Sequence, residues 1–276
     1  MPRRQRSSSR RVFLLGLAAI VGAIAAVAVA LTVGGAGNRS STTTAQVVRV
    51  DPSRAQNPKL PGRVVFVSNF ERGKFPEWFK QALPNRIRLV HNSPYEGRSN
   101  ALFEVRPGDI EPQTGSPRAE LTGPTFEEGD DIYVRTAFRV PEANTFQGPW
   151  QLIQQFHEAE EWGGSPGTAI FLTSKRRIRI GHGDGTEVDW QSKPLVDNRW
   201  YVLTYRVKFS QNPKVGFMEV WLNGKHQRLR DGHFRQYGFT MQKPHSYLKT
   251  GIYRSRYSTG ISLIEDDSLT ITQLPH

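Results

Sequence analysis

The sequence predicts an all-β protein, a sandwich or jelly roll, and three observations carry that prediction. Short runs rich in β-branched and aromatic residues recur from Gly62 to the C-terminus, separated by Gly, Pro, Asn and Asp. Within those runs apolar and polar residues alternate, as they must when successive strand side chains point to opposite faces. No long segment repeats with the helical period, and no internal repeat of fixed length is present. The chain has 276 residues, of which 37% are hydrophobic, enough for a sizeable core and too apolar for global disorder. Cysteine is absent, which excludes disulfides, thiolate zinc sites, iron–sulfur clusters and a cysteine nucleophile.

The N-terminus comes first in chain order. Arg3, Arg4, Arg6, Arg10 and Arg11 precede a charge-free run of 22 residues from Val12 to Val33. That run is long enough to span a bilayer, and the basic flank would stay cytoplasmic. Ser9-Arg10-Arg11-Val12-Phe13-Leu14-Leu15 resembles a bacterial twin-arginine export signal, and Ala28-Val29-Ala30 offers a small-residue cleavage site. Residues 1–33 are therefore read as a cleaved signal or an uncleaved anchor helix. Both place the remainder outside a bacterial cytoplasm, secreted or membrane-anchored. Residues 34–61, rich in Gly, Ser, Thr, Ala and Pro, read as a flexible linker. Residues 62–276 form the β domain.

Charge narrows the partner. The net charge of +12 implies a polyanion: nucleic acid, acidic lipid or acidic polysaccharide. Five of those twelve charges belong to the export segment, leaving seven. Outside the cytoplasm an anionic polysaccharide is the expected partner, not nucleic acid. Membrane contact is expected only through the N-terminal segment, and the protein is expected to be a monomer.

Strands are expected at 64–70, 86–91, 101–106, 131–140, 150–157, 168–174, 177–182, 200–209, 217–224, 247–255 and 269–274. In the run from Trp200, residues Tyr201, Leu203, Tyr205, Val207 and Phe209 share a core face, while Thr204, Arg206 and Lys208 face water. Trp221-Leu222-Asn223-Gly224-Lys225 reads as a strand closing in an Asn-Gly hairpin turn.

Three strands place polar groups side by side. In the first, Trp150, Leu152 and Phe156 are read as core, with Gln151, Ile153, Gln155 and His157 opposite. Gln155 and His157 then sit about 7 Å apart. In the second, Leu248, Thr250 and Ile252 oppose Tyr247, Lys249, Gly251 and Tyr253, and Gly251 opens space for a ligand or another backbone. In the third, Arg118 and Glu120 oppose Ala119 and Leu121. A weaker feature puts Lys175, Arg177 and Arg179 on one strand face as a basic stripe. Each has a plain alternative as solvated strand cover.

If those faces line one groove, it lacks the paired carboxylates of glycoside hydrolysis. It suits β-elimination from a uronic-acid polymer, in which the C5 proton leaves and the C4–O bond breaks. Gln155 and Arg118 would neutralise the sugar carboxylate, His157 would take the proton, and Tyr253 would protonate the leaving oxygen. A single tyrosine serving both roles is also open. Lys249 would hold a sugar carboxylate.

Arg118-Ala119-Glu120-Leu121, Gln155-Phe156-His157 and Tyr247-Leu248-Lys249-Thr250-Gly251-Ile252-Tyr253 resemble, in that order, the signature strands of jelly-roll alginate lyases. Thr122 stands where those enzymes usually carry a further Arg. The stretch from Trp200 through Asn223-Gly224-Lys225 to Lys249 and Tyr253 is more similar to the heparin lyase I and glucuronan lyase group. The resemblance covers residues 62–276. It implies a concanavalin-like β-jelly roll with His157 and Tyr253 as catalytic base and acid. It also implies Gln155 and Arg118 as neutralisers and Lys249 as a substrate contact. Glu120, Tyr247 and the basic stripe of Lys175, Arg177 and Arg179 are expected as further substrate-binding groups. No cofactor is required. A structural calcium occurs in part of that group, and Glu71 with Asp266 or Asp267 could offer it oxygens. Two rival readings remain. A non-catalytic carbohydrate-binding module would use Trp162 and Trp190. A glycoside hydrolase would draw on Glu158, Glu160 and Glu161, with Glu158 expected in a loop beyond its strand.

Overall fold

The computed structural model describes residues 59–276 except 74, 159–164 and 183–186. The signal or anchor segment, all but the last three linker residues, and Glu160, Glu161 and Trp162 lie outside the described residues. Among the described residues no helix is long and apolar enough to cross a membrane.

Among the described residues, sixteen strands form two antiparallel sheets: β1 (Arg63–Ser68), β2 (Phe79–Ala82), β3 (Ile87–Val90), β4 (Asn100–Val105), β5 (Arg118–Glu127), β6 (Asp131–Arg139), β7 (Gln151–Glu158), β8 (Thr168–Leu172), β9 (Ile178–His182), β10 (Glu187–Gln191), β11 (Trp200–Lys208), β12 (Phe217–Leu222), β13 (Lys225–His226), β14 (Gln236–Tyr237), β15 (His245–Arg254) and β16 (Ser262–Gln273). The first sheet runs β13-β12-β11-β6-β16-β4-β3, with β1 on β16 and β14 on β12. The second runs β10-β9-β8-β7-β15-β5-β2. Non-consecutive neighbours such as β15 between β7 and β5 bring residues far apart in sequence onto one face.

The core lies between the sheets, as alternation predicts. Leu203, Tyr205, Val207, Val134 and Phe138 meet Leu121, Phe156, Ile170, Leu248 and Ile252, all buried. Phe156 packs edge-on against Phe126 and Phe209, with centroids 5.6 and 4.9 Å away. Each such side chain contributes about 1.5–3 kcal/mol by leaving water. Asn223 and Gly224 take φ of 49° and 74°, the left-handed pair that a type I′ hairpin requires, and so make the predicted β12–β13 turn.

Alternation fails at one place that matters for the site. Against β8, the register of β7 slips by one residue between Leu152 and Gln154. Ile153 and Gln154 then both turn inward, a β-bulge, and the faces exchange N-terminal to it. Leu152 therefore sits with Ala169, Phe171, Trp150 and Tyr253 on the outer face, and Ile153 sits in the core. The expected core placement of Trp150 and Leu152, and the outward placement of Ile153, are corrected by this bulge. Gly251 is likewise restricted from within. At φ 122° a Cβ there would lie 2.3 Å from the Ala119 carbonyl oxygen and 2.6 Å from the Phe103 ring. Its neighbours are the protein's own atoms, so it does not open ligand space.

The basic stripe dissolves for a similar reason. Lys175 is exposed in the turn between β8 and β9, where Arg176 has φ 54°. Arg177 donates to the Ser192 carbonyl at 2.9 Å, and only Arg179 lies on a strand.

Candidate active site

The outer face of the second sheet gathers the polar strands. β15 lies between β7 and β5, so its register builds the site as rows across the sheet. One row runs Arg179, Phe171, Leu152, Tyr253 and Arg118. A second runs Ala169, Gln155, Lys249 and Thr122, and a third pairs His157 with Tyr247. Gly251 pairs with Glu120, which pairs with Gln81 on β2.

Beneath the surface lies a buried charged layer. Glu120, 1% exposed, is its hub. It accepts from Arg118 at 3.1 Å and from Gln155 Nε2 at 2.5 Å, and lies 3.9 Å from the Lys249 ammonium. Lys249 donates to Gln81 Oε1 at 2.8 Å and sits 5.4 Å from the Tyr247 ring centroid. Arg118, Gln155 and Lys249 are all buried, so they act on the face mainly through charge and positioning. The layer holds two cations against one carboxylate, and Arg179, 4.2 Å over the Phe171 ring, adds a third cation beside it.

Above that layer sit the half-buried groups. His157 Nδ1 lies 2.7 Å from the Glu158 carbonyl oxygen. A carbonyl only accepts, so Nδ1 carries the proton and Nε2 keeps its lone pair. Burial, aided by the Lys249 and Arg118 charges, lowers the His157 pKa and holds the ring neutral. The Tyr247 hydroxyl lies 3.4 Å from the same Nδ1. Tyr253 is packed between the Arg118 guanidinium, 4.1 Å over its ring, and Trp150, edge-on at 4.9 Å.

The structure thus brings Arg118, Glu120, Gln155, His157, Tyr247, Lys249 and Tyr253 onto one face of one sheet. His157 and Tyr253 stand at opposite ends of it. Tyr253 pairs with Leu152, five residues before His157, which sets their backbones on the order of 17 Å apart along the sheet. The tyrosine in contact with His157 is Tyr247. Sequence reasoning did not find Gln81, because β2 is a short edge strand with no alternation, nor Phe171 and Trp150, which the bulge turns outward.

Other expected residues lie elsewhere. Glu71 Oε1 accepts from the Arg98 and Ser99 backbone N–H groups at 2.7 and 2.8 Å. Asp267 accepts from the Glu96 and Ser268 N–H groups at 3.0 and 2.7 Å, and Asp266 accepts from the Thr250 hydroxyl at 2.6 Å. These oxygens do not converge on one point. Among the described residues no group of three or more His, Cys, Asp or Glu side chains could hold a metal ion. Glu158 ends β7 and is not in a loop. It is 1% exposed, and its carboxylate accepts from the backbone of Gln242 and Lys243. Trp190, 8% exposed, belongs to the core and offers no sugar platform.

Fold and face together define a β-jelly-roll protein with a histidine and two tyrosines over a buried charged layer on one sheet. Residues 70–270 match the family model described as polysaccharide lyase, and the chain belongs to that family: it is a polysaccharide lyase. Among curated proteins none matches the sequence. Among the solved structures that share the fold are two lengthwise matches. The endo-β-1,4-glucuronan lyase of the fungus Trichoderma reesei is 16% identical with a TM-score of 0.56, over 76% of this chain and 95% of that one. The cellulose-induced protein Cip1 is 15% identical with a TM-score of 0.51, over 75% and 96%.

Proposed function

We propose that this lyase is exported and cleaves a uronic-acid-containing anionic polysaccharide by β-elimination. The observation that supports this reading is the placement of a neutral, Nε2-open histidine and two tyrosines above a cationic buried layer. The carboxylate next to C5 needs positive charge nearby before its α-proton becomes removable, and Arg118 and Lys249 supply it. His157 Nε2 takes the C5 proton. The electrons form the C4–C5 double bond as the C4–O bond breaks, and Tyr247, whose hydroxyl lies 3.4 Å from the His157 ring, gives the leaving oxygen its proton. The reaction as written needs no cofactor. Tyr253, the acid expected from the sequence, stands on the order of 17 Å from His157 along the sheet, too far to serve the same sugar from its packed position between Arg118 and Trp150.

The test is to mix the purified protein with polyglucuronate, alginate, heparin and hyaluronan and follow ultraviolet absorbance. A lyase generates a double bond conjugated to the carboxylate. New reducing ends without absorbance would indicate hydrolysis, and binding without cleavage a carbohydrate-binding module. Either outcome refutes the proposal. His157→Ala is expected to lower kcat about 10²–10⁴-fold. Of Tyr253→Phe and Tyr247→Phe, the variant that falls by a similar factor identifies the acid.

A further inference from the structure

The sheet that does not carry the site has an outer face of its own. Outward strand faces are normally polar, yet here rings accumulate. The register places His226, Trp221, Thr204 and Arg135 in one row across β13, β12, β11 and β6. Phe234 stacks on His226 at 4.5 Å, and His226 stacks on Trp221 at 4.2 Å with 13° between planes. Tyr133 follows at 5.9 Å from Trp221. Phe234 is 40% exposed, with the Arg228 guanidinium 4.6 Å over its ring. Beside this stack opens a hollow of about 240 Å³, bordered by Trp221, Tyr133, Arg135 and Lys59. His226 Nε2 is buried without a hydrogen-bond partner.

The charge of this face is as one-sided as its rings are unusual. Asp131 and Glu219 are already held by Arg206 and Arg235. Among the described residues neither Lys59 nor Arg228 enters an ion pair; Arg228 donates to the Gly232 carbonyl at 2.7 Å. A ring presents an apolar platform for the C–H face of a sugar, and adjacent cations take carboxylates. A site for a neutral sugar would need the rings and not the cations.

We propose that this face is a second, non-catalytic binding surface for an acidic polysaccharide, holding the polymer on the sheet opposite the reacting face. The polymer class rests on the elimination reading; the existence of the surface does not rest on the catalytic roles. It would let one molecule grip a long chain at two places, raising apparent affinity without a new contact in the active site.

The experiment uses the full chain in the His157→Ala background, which keeps the polymer intact, and measures retardation in gels containing alginate, polyglucuronate or heparin. Lys59→Glu with Arg228→Glu should weaken binding to the best-retained acidic polymer about tenfold, and Trp221→Ala should do the same. In an otherwise wild-type chain the two charge reversals should leave cleavage of a short oligosaccharide within twofold and slow cleavage of the long polymer. Both reversed side chains are exposed, so they remain informative if Trp221→Ala lowers the melting temperature. Retained affinity in the reversed variant overturns the proposal. So does equal loss of binding to duplex DNA, or a dimer in sizing runs that the reversals break, which would give the face to a second copy. If no polymer yields unsaturated product, the elimination reading fails, while loss of retardation in the reversed variant still upholds the surface.

Discussion

His157 owes its properties to its immediate surroundings. Burial first, then the charges of Lys249 and Arg118, disfavour its imidazolium and lower its pKa. A base must be neutral to accept a proton, so activity is lost only as pH falls through that lowered value. The acid limb of kcat/KM should therefore have its midpoint below the ordinary histidine value of about 6.5. Lys249→Met removes one of the two cations and should move that limb toward 6.5. A limb at or above 6.5, or one that Lys249→Met leaves in place, would remove His157 from the role. Glu120 has the opposite function, since its carboxylate faces both Arg118, at 3.1 Å, and Lys249, at 3.9 Å. Glu120→Gln leaves those two buried cations without it and should cost about 3–5 kcal/mol in denaturant melts. Adding Lys249→Met should recover part of that loss.

At the scale of strands, the face a residue takes depends on register, and register is where sequence and structure part. The strands rich in β-branched and aromatic residues, such as Trp200–Lys208 and Asp131–Arg139, were legible because they pair with each other without a bulge, so every second residue keeps one face. So were the outward faces of Arg118 with Glu120 and of Gln155 with His157, since two residues apart on one strand suffices. β16 was legible only from Leu269 onward. Its first half carries Glu265, Asp266 and Asp267, which read as loop, and Ser268 at φ 50° interrupts the ladder. The outward turn of Trp150 and Leu152 was not legible, because a bulge leaves no residue signature. Gly251 is the element-level position most open to test. Ala there meets both the φ of 122° and the 2.3 Å approach to the Ala119 carbonyl. Gly251→Ala should destabilise by on the order of 3 kcal/mol in urea melts. A neutral result would mean that the β15–β5 ladder can shift at no cost.

Across the whole molecule the two sheets are joined by more than apolar packing. A buried polar path crosses the sandwich directly behind the site. The Tyr205 hydroxyl donates to Gln154 Oε1 at 2.7 Å, Gln154 Nε2 donates to the Thr250 hydroxyl at 3.3 Å, and that hydroxyl donates to Asp266 at 2.6 Å. Gln154 and Thr250 are chain neighbours of Gln155 and Lys249, so this path ties the site strands to the opposite sheet. Burial, with Asp267 and Glu265 nearby, pushes the Asp266 carboxyl up to about 7. In the unfolded chain it returns to about 3.9. Between those values the unfolded state ionises and the folded state does not, so stability from this group falls as pH rises from about 4 to 7 and is flat above. Asn mimics the protonated carboxyl. Asp266→Asn should therefore come close to the wild type at pH 4 and exceed it at pH 8, by up to about 4 kcal/mol for a difference of this size, less where Asp267 titrates with it. Thermal melts of both proteins at the two pH values decide it. An Asn variant weaker by the same amount at both would show that Asp266 is ionised in the folded protein, held by Thr250 as an anion.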